Sequence, residues 1–334
     1  MKKKLKIQCV DWFKKLTKEL EYLLNDKYEL EFCDQPDFLF YSVYGTGIEH
    51  YQYKNCVKIF WSAEGVLPDF NECDYALGFY PMDVGERYCQ IPYLAFDSKI
   101  QDREQFRNSD ISRKKFCNFI YSNFNNGKGA ILRQEFCKKL MEYKMVDCPG
   151  KVLNNMKDAI EARNANWAEG KKRFLRDYKF TIAFENVSMP GMITEKLYHS
   201  YLTGSIPIYW GAPDVGEIFN SASMVNCMQY DSWEAVIERI IEIDKDDDEF
   251  RRIVQEKPFL NDSDTKGEQR KKEFLYKIIE KGNYAFEKDP LGWDSGIKAA
   301  IEKIELQNSI IYKGYEQKKR IKNFLEKIRR KVEK

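Results

Sequence analysis

Short apolar runs alternate with amphipathic stretches along the first third of the chain. LKIQCV (5–10) has the composition of a buried strand, and residues 12–24 carry apolar side chains at helical spacing. Runs rich in aromatic and β-branched residues predict further strands at residues 28–33, 37–43, 57–64 and 74–80. Strands that alternate with helices are typical of βαβ units and a mostly parallel sheet.

A second alternating set follows a polar stretch at residues 97–115, which is predicted to be a linker. Its pattern predicts strands at 116–123, 178–186 and 205–211, and helices at 130–143, 192–203 and 233–243. The fold class predicted is therefore α/β, with two Rossmann-like domains facing a cleft. We expect an N-terminal domain at 1–108, a second domain at 109–312 and a basic tail at 313–334.

Composition narrows the class of protein. Hydrophobic residues make up 43% of the 334, enough for a sizeable core, and the net charge of +2 disfavours a general nucleic-acid binder. No apolar run approaches 18 residues, and Asp11 and Lys14 interrupt the apolar start, so neither a transmembrane helix nor a cleaved signal is expected. Nine cysteines without a CxxC pair indicate free thiols in a reducing compartment.

The candidate chemistry lies between Tyr178 and Val215, where strand, loop, helix, strand and glycine turn follow one another. The first strand ends in Glu185 and Asn186, and Thr194-Glu195-Lys196 opens the helix. A helix N-terminus offers unpaired N–H groups and partial positive charge to an anion. Lys196 adds a full charge, and Glu195 can accept hydrogen bonds from ribose hydroxyls, so the segment would suit a nucleotide diphosphate.

This segment, YKFTIAFENVSMPGMITEKLYHSYLTGSIPIYWGAPDV, closely resembles the donor-binding motif of the α-1,3/4-fucosyltransferases, glycosyltransferase family ten, of the bacterial type. Two upstream stretches strengthen the resemblance. FCNFIYSN is followed by GAILRQEFCKKLMEY, in which Arg133 takes the place of a family arginine. FWSAEGVLPDFNECDYALGF presents Glu64 at the position of the family's catalytic glutamate.

The resemblance implies a GT-B architecture in which the first domain binds an oligosaccharide acceptor and the second binds GDP-fucose. It implies transfer of L-fucose with inversion, with Glu64 as the general base. Arg133 and Lys196 would stabilise the departing GDP without a metal or any other cofactor, and Asn186 and Glu195 would hold the ribose or the sugar. Glu185 is interpreted as a structural acceptor in the donor subsite.

One departure from the family pattern keeps alternatives open. Met192 stands where family members usually carry a donor-binding tyrosine, and a thioether cannot donate that hydrogen bond. Transfer of another GDP-linked sugar is therefore an alternative. A non-catalytic GDP-sugar or glycan-binding protein is an alternative from another class, although a binder has no need of Glu64.

Two charged segments could indicate a metal site or a membrane contact. The DKDDD run at Asp244–Asp248 superficially supplies a metal-binding D-x-D, but its position between two helical patterns favours a solvated helix end, so no metal is expected. The tail at 313–334 holds ten Lys or Arg and three Glu, and its apolar residues follow one helical face. It predicts either an anionic membrane-surface contact or a packed terminal helix. The family resemblance, with no signal or anchor pattern, implies a cytoplasmic enzyme of surface-polysaccharide synthesis, which the first alternative would make peripheral on the inner membrane face.

Overall fold

The computed structural model describes residues 2–12, 14–91, 100, 102–107, 114–124, 127–156, 167–261 and 267–282. They form two compact units. The first holds the described residues up to Leu77, Gly85–Tyr88 and the described residues from Phe274 onward; the second holds Gly78–Val84 and the described residues of Cys89–Glu273. The predicted boundary between residues 108 and 109 and the predicted tail at 313–334 lie outside the described residues and stay predictions.

The first unit is built on a six-stranded sheet in the order β2-β1-β3-β4-β5-β6. Its elements are β1 Lys3–Val10, α1 Lys14–Leu24, β2 Tyr28–Phe32, β3 Phe38–Tyr41, β4 Val57–Trp61, β5 Tyr75–Gly78 and β6 Tyr88–Gln90. Strands β1 to β5 pair in parallel, so the ends of β1, β3 and β4 meet at one edge. Strands β3, β4 and β5 are buried along their whole length, which explains their continuous apolar runs.

The second unit is built on a five-stranded parallel sheet in the order β11-β10-β9-β7-β8. Its elements are α2 Glu104–Arg107, β7 Lys115–Asn118, α3 Lys128–Met141, β8 Val146–Asp147, α4 Trp167–Leu175, β9 Tyr178–Phe184, α5 Glu195–Thr203, β10 Ile206–Trp210, α6 Val215–Ile218, β11 Val225–Asn226, α7 Trp233–Lys245, α8 Asp247–Gln255 and the first half of α9 Gly267–Glu280. The central strand, β9, has a buried face of Phe180, Ile182 and Phe184 that packs against α3, α7 and α8.

The described part of the predicted linker packs into the second unit. Arg103 is buried, and its guanidinium donates to the carbonyls of Val254 and Tyr201, each at 2.8 Å. A buried, bonded arginine is not a feature of a solvated connection, so the linker interpretation is wrong for residues 102–107. Three other polar residues of this segment, Asp102, Glu104 and Gln105, are exposed, which explains why the stretch is polar although Arg103 is buried.

The last part of α9 belongs to the first unit. Phe274 packs edge-on against Tyr75, and Tyr276 against Tyr28, with ring centroids 6.2 and 5.9 Å apart. The ammonium of Lys27 lies 3.1 Å from a carboxylate oxygen of Glu280. The first unit is therefore completed by a segment that follows the whole second unit in sequence.

Two further observations bear on the composition argument. Among the described residues, no helix combines the length and apolar character needed to cross a membrane. All nine cysteines are free thiols, in agreement with the sequence interpretation.

Candidate functional site

The site in the second unit centres on the turn at the end of β9. The backbone N–H of Glu185 donates to the carbonyl of Trp210 at 2.8 Å, which extends the β9–β10 pairing by one residue. The carboxylate of Glu185 is fully buried. Because β9 is the central strand, the turn of Glu185 and Asn186 lies at the carboxyl edge of the sheet, where α/β folds bind ligands.

Helix α3 approaches this turn through a glycine. The N–H of Gly129 donates to the carbonyl of Asn186 at 2.9 Å. A Cβ at Gly129 would lie 2.2 Å from the carbonyl oxygen of Glu185, so only glycine allows this approach. The close packing places Arg133, one helical turn later, beside Asn186.

Arg133 is held by protein groups on three sides. Its guanidinium donates to Oδ1 of Asn186 and to the carbonyl of Asn123, each at 2.8 Å, and lies 4.0 Å from the ring centroid of Tyr121. Burial lowers the pKa of this guanidinium, while the neighbouring Tyr121 and Glu185 act in the opposite direction. Its Nε atom is buried without a hydrogen-bond partner. The result is a fixed positive charge beside the β9 turn.

Lys196 and Glu185 form a buried ion pair at the start of α5. The ammonium lies 2.8 Å from Oε2 of Glu185. Thr194, the N-cap of α5, donates to the same carboxylate through its backbone N–H at 2.8 Å and through its hydroxyl at 2.8 and 2.9 Å. Burial opposes the charge on Lys196, but the carboxylates of Glu185 and Glu195 outweigh it and raise its pKa.

The ion pair explains the unusual position of Lys196 in the first turn of a helix. A lysine in the first turn of a helix faces the positive end of the helix dipole and needs a nearby anion. In the structure the anion is Glu185, which agrees with its interpretation as a structural acceptor. The Lys196 side chain is 16% exposed, whereas that of Glu185 is fully buried.

Glu195 carries the opposite charge beside Lys196. Burial works against its ionisation, yet the positive charges of Lys196, Lys171 and His199 prevail and lower its pKa. The first turn of α5 therefore presents one carboxylate and one ammonium side by side. Such a pair can bind hydroxyl and phosphate groups of one ligand.

The loop before α5 is fixed at both ends. Gly191 has φ +74°, in the left-handed region that favours glycine, and its N–H donates to the carboxylate of Asp214 at 2.9 Å. Met192 is 2% exposed, and its carbonyl accepts from the hydroxyl of Tyr209 at 3.4 Å. The Met192 side chain is thus part of the core of the second unit.

Glu64 lies in the first unit, three residues beyond the end of β4. Its backbone N–H donates to the hydroxyl of Ser62 at 3.0 Å, and this hydroxyl donates to the carbonyl of Glu64 at 3.2 Å. The phenol of Tyr44 donates to Oε1 of Glu64 at 3.4 Å. A half-buried carboxylate at the carboxyl edge of a parallel sheet has the chemistry of a general base.

The DKDDD run lies where α7 ends and α8 begins. Asp246 is the N-cap of α8 and accepts from the N–H groups of Asp248 and Glu249, each at 3.0 Å. Asp244 is 9% exposed and accepts from the ammonium of Lys144 at 2.9 Å. The sequence interpretation expected a solvated helix end, and for this carboxylate it is wrong. No group of three or more His, Cys, Asp or Glu in the described part of the chain could hold a metal ion.

Sequence reasoning missed two residues that shape the site. Thr194 bridges the helix start and Glu185, and the capping preference of threonine before an acidic first turn could have identified it. Tyr121 stacks on Arg133 while its hydroxyl accepts from the N–H of Phe184 at 2.8 Å. No pattern in a single sequence reveals that second contact, because it joins the loop after β7 to strand β9.

Comparison with known proteins assigns the class. Residues 6–97 match the model of the alpha-(1,3)-fucosyltransferase FucT N-terminal domain. Residues 111–276 match the model of the glycosyltransferase family 10 (fucosyltransferase) C-terminal region. The two α/β units and these matches define a glycosyltransferase. The chain belongs to glycosyltransferase family ten, as its sequence resemblance predicted.

Individual relatives agree with this family. The alpha-(1,3)-fucosyltransferase FucT of Helicobacter pylori is 28% identical over 287 residues, which are 74% of this chain and 57% of that protein. The alpha-(1,3)-fucosyltransferase B of Drosophila melanogaster is 32% identical over 111 residues, 32% of this chain and 25% of that protein. The chain thus spans little more than half the length of the first relative and about a quarter of the second.

Solved structures confirm the fold class. A crystal structure of an alpha1,3-fucosyltransferase has a TM-score of 0.70 at 24% identity, covering 84% of this chain and 91% of that one. A structure of alpha1,3-fucosyltransferase with GDP-fucose has a TM-score of 0.65 at 24% identity, covering 82% and 91%. The prediction of an α/β fold of GT-B type with two Rossmann-like units is confirmed.

Proposed function

We propose that this protein transfers L-fucose from GDP-fucose to a glycan hydroxyl. The proposed acceptor hydroxyl is O3 of N-acetylglucosamine in a surface polysaccharide. The donor lies at the β9 turn of the second unit, and the acceptor binds to the first unit. The observation that supports the proposal is the match of both units to fucosyltransferase family models, with Arg133 and Lys196 held on the two sides of Glu185 and Asn186.

The mechanism is a single displacement with inversion. The carboxylate of Glu64 takes the proton of the acceptor hydroxyl as the oxygen attacks the anomeric carbon. The bond between that carbon and the phosphate oxygen breaks, and GDP leaves with the electron pair. Arg133 and Lys196 are already charged and oriented before the donor binds, so they stabilise the developing negative charge with little reorganisation.

The remaining donor groups have separate roles. Glu195 accepts hydrogen bonds from the ribose hydroxyls, since its lowered pKa keeps it ionised at neutral pH. Asn186 uses its Oδ1 to hold Arg133 and keeps its side-chain N–H groups for the sugar. The buried Met192 gives no donor to the ligand, which favours recognition of the sugar by other groups or a different GDP-linked sugar.

We place the enzyme in the cytoplasm, peripheral on the inner membrane face.

The decisive experiment is a donor panel. GDP-fucose, GDP-mannose and GDP-glucose are each incubated with N-acetyllactosamine, lactose or a peptide hydroxyl acceptor, and GDP release and the product linkage are measured. We expect release from GDP-fucose with an α-1,3-linked product. Faster release from another GDP-sugar would support the alternative donor, and tight GDP-fucose binding without product on any acceptor would support the non-catalytic alternative.

Glu64→Gln tests the base in the same assay. The amide keeps the shape of the side chain but takes no proton, so transfer should fall by about 100-fold or more. GDP affinity should stay within about threefold, because the donor groups lie in the second unit. Glu31→Gln, on the exposed surface of β2, is the matched control and should transfer like the wild type. Wild-type turnover in Glu64→Gln would exclude this residue as the base.

A further inference from the structure

The loop that follows β3 in the first unit is built around a buried carboxylate. Asp11 comes directly after β1 and is 4% exposed. Its Oδ1 accepts from the backbone N–H groups of Thr46 and Gly47 at 2.9 and 2.8 Å, and from the Thr46 hydroxyl at 3.2 Å. Its Oδ2 accepts from the N–H of Glu49 at 2.8 Å. One side chain therefore determines the conformation of the loop from Tyr44 to Glu49.

Asp11 and Gly45 both have backbone conformations in the left-handed region. Asp11 has φ +48°, a left-handed conformation that side chains other than glycine rarely adopt. Gly45 has φ +71°, and a Cβ there would lie 2.9 Å from Oδ1 of Asp11. Burial alone would raise the pKa of Asp11, but the nearby His50 imidazole and the hydrogen bonds from the N–H groups of Gly47 and Glu49 outweigh it and lower the pKa. The buried carboxylate is thus ionised and well satisfied.

The far end of the loop is followed by a buried imidazole that packs against two aromatic rings. His50 is stacked between the rings of Tyr41 and Tyr51, with centroids 4.1 and 4.0 Å away. Its Nδ1 lies 4.0 Å from Oδ2 of Asp11, and its Nε2 lies 3.4 Å from Oε2 of Glu72. Because it has contacts at both ends, the loop from Tyr44 to Glu49 is expected to be more rigid than an ordinary surface loop.

The near end of the loop reaches Glu64. The N–H of Tyr44 donates to the backbone carbonyl of Asp11 at 3.0 Å, and the Tyr44 hydroxyl donates to Oε1 of Glu64 at 3.4 Å. At 3.4 Å the contact is a long hydrogen bond, and it restrains the rotamer of the carboxylate. A base must be ionised and correctly oriented when the acceptor binds.

We propose that Asp11 and Tyr44 are positioning residues for the fucosyl transfer. Asp11 holds the Tyr44–Glu49 loop, and the loop holds the Tyr44 phenol against the Glu64 carboxylate. Neither residue exchanges a proton with the substrate. The proposal rests on the role of Glu64 in the proposed function.

The test combines Tyr44→Phe, Asp11→Asn and the double variant in the GDP-fucose transfer assay. Tyr44→Phe removes only the hydroxyl, and Asp11→Asn keeps its size but can no longer accept at both oxygens. We expect kcat to fall about three- to tenfold in each, with KM for GDP-fucose within about twofold. The acid limb of the pH–rate profile should move to higher pH, because the ionised base loses a donor.

The double variant separates positioning from general damage. If both residues act through the same contact, the double variant is no slower than the slower single variant. Independent structural damage would instead multiply the two losses and leave the acid limb in place, which overturns the proposal. Tyr22→Phe and Asp34→Asn, which alter exposed residues of the same unit, should match the wild type.

The proposal can fail without the proposed function failing. Inactive Glu64→Gln together with wild-type kcat and acid limb in Tyr44→Phe would overturn the positioning role alone. Active Glu64→Gln would overturn the base and the positioning role with it. Tyr44→Phe decides the matter even if Asp11→Asn does not fold, because removing one hydroxyl leaves the Asp11 hydrogen bonds in place.

Discussion

The ion pair of Glu185 and Lys196 combines a structural role with a binding role, and substitutions can separate the two. Breaking a buried pair by neutralising one partner leaves the other charge uncompensated and costs about 3 kcal/mol. We expect Glu185→Gln and Lys196→Met to lose stability singly, in urea unfolding, and the double variant to recover part of that loss. A double variant whose loss equals the sum of the singles would show that the pair is not coupled.

GDP titration of the same variants addresses binding. Glu185→Gln keeps the ammonium, so GDP affinity should stay within about threefold of the wild type, whereas Lys196→Met should weaken it by about tenfold or more. Lys138→Met, on the exposed surface of α3, is the control for loss of a distant lysine. Wild-type affinity in Lys196→Met would remove this residue from the diphosphate site.

At this scale the sequence identifies residues better than their contacts. Glu185, Asn186, Glu195 and Lys196 were all recognisable from a motif in one continuous segment. The bond between Arg133 and Asn186 joins residues 53 positions apart, and the stacking of Arg133 on Tyr121 joins helix α3 to the loop after β7. Such contacts depend on how the elements pack, which the hydrophobic pattern does not specify.

Among the elements, the approach of α3 to the β9 turn depends on Gly129. An alanine Cβ there would lie 2.2 Å from the carbonyl of Glu185 and 2.7 Å from the Trp210 ring, so the helix would have to shift. We expect Gly129→Ala to cost about 1–3 kcal/mol despite the better helix propensity of alanine. GDP affinity should fall as well, since Arg133 moves with the helix.

Gly170 in α4 offers a matched control. It is also helical, but a Cβ there would meet no atom within 4 Å. Gly170→Ala should therefore stabilise the protein by about 0.5–1 kcal/mol and leave GDP binding unchanged. Thermal and urea unfolding of the two variants check the comparison, and equal effects of the two substitutions would contradict a special packing role for Gly129.

Long periodic elements were predictable, and short ones were not. Predicted strands and helices at the core of both units are present, although most strands are shorter than expected and β1 begins two residues earlier. Strands β8 and β11 have two residues each, too few for an alternating pattern. Helix α9 was overlooked although Leu275, Ile278 and Ile279 are buried at helical spacing, because its first half is strongly polar.

For the whole molecule, the charge arrangement leads us to expect catalysis without a divalent metal. In the proposed donor site, Arg133 and Lys196 would supply two positive charges where a metal-dependent transferase places an ion. Turnover of GDP-fucose should therefore survive excess EDTA, measured as GDP release. Complete loss of activity that returns with Mg²⁺ or Mn²⁺ would contradict this and would require an acidic site elsewhere in the chain.

Membrane attachment through residues 313–334 remains a prediction from sequence. The segment has ten basic and three acidic residues, and each basic residue near an anionic surface contributes about 1 kcal/mol. The full chain should co-sediment with vesicles containing anionic lipid, less so at high salt, while residues 1–312 should not. Equal pelleting of both proteins would favour a terminal helix packed on its own domain.

The return of α9 to the first unit has a consequence for biosynthesis. Tyr28 and Tyr75 receive their aromatic partners, Tyr276 and Phe274, only after the second unit has left the ribosome. At ordinary elongation rates the roughly 200 intervening residues take about 10–40 s to synthesise. Throughout that interval the nascent first unit exposes the apolar surface that α9 will cover, so we expect it to depend on chaperones more than the second unit, which is contiguous over most of its length.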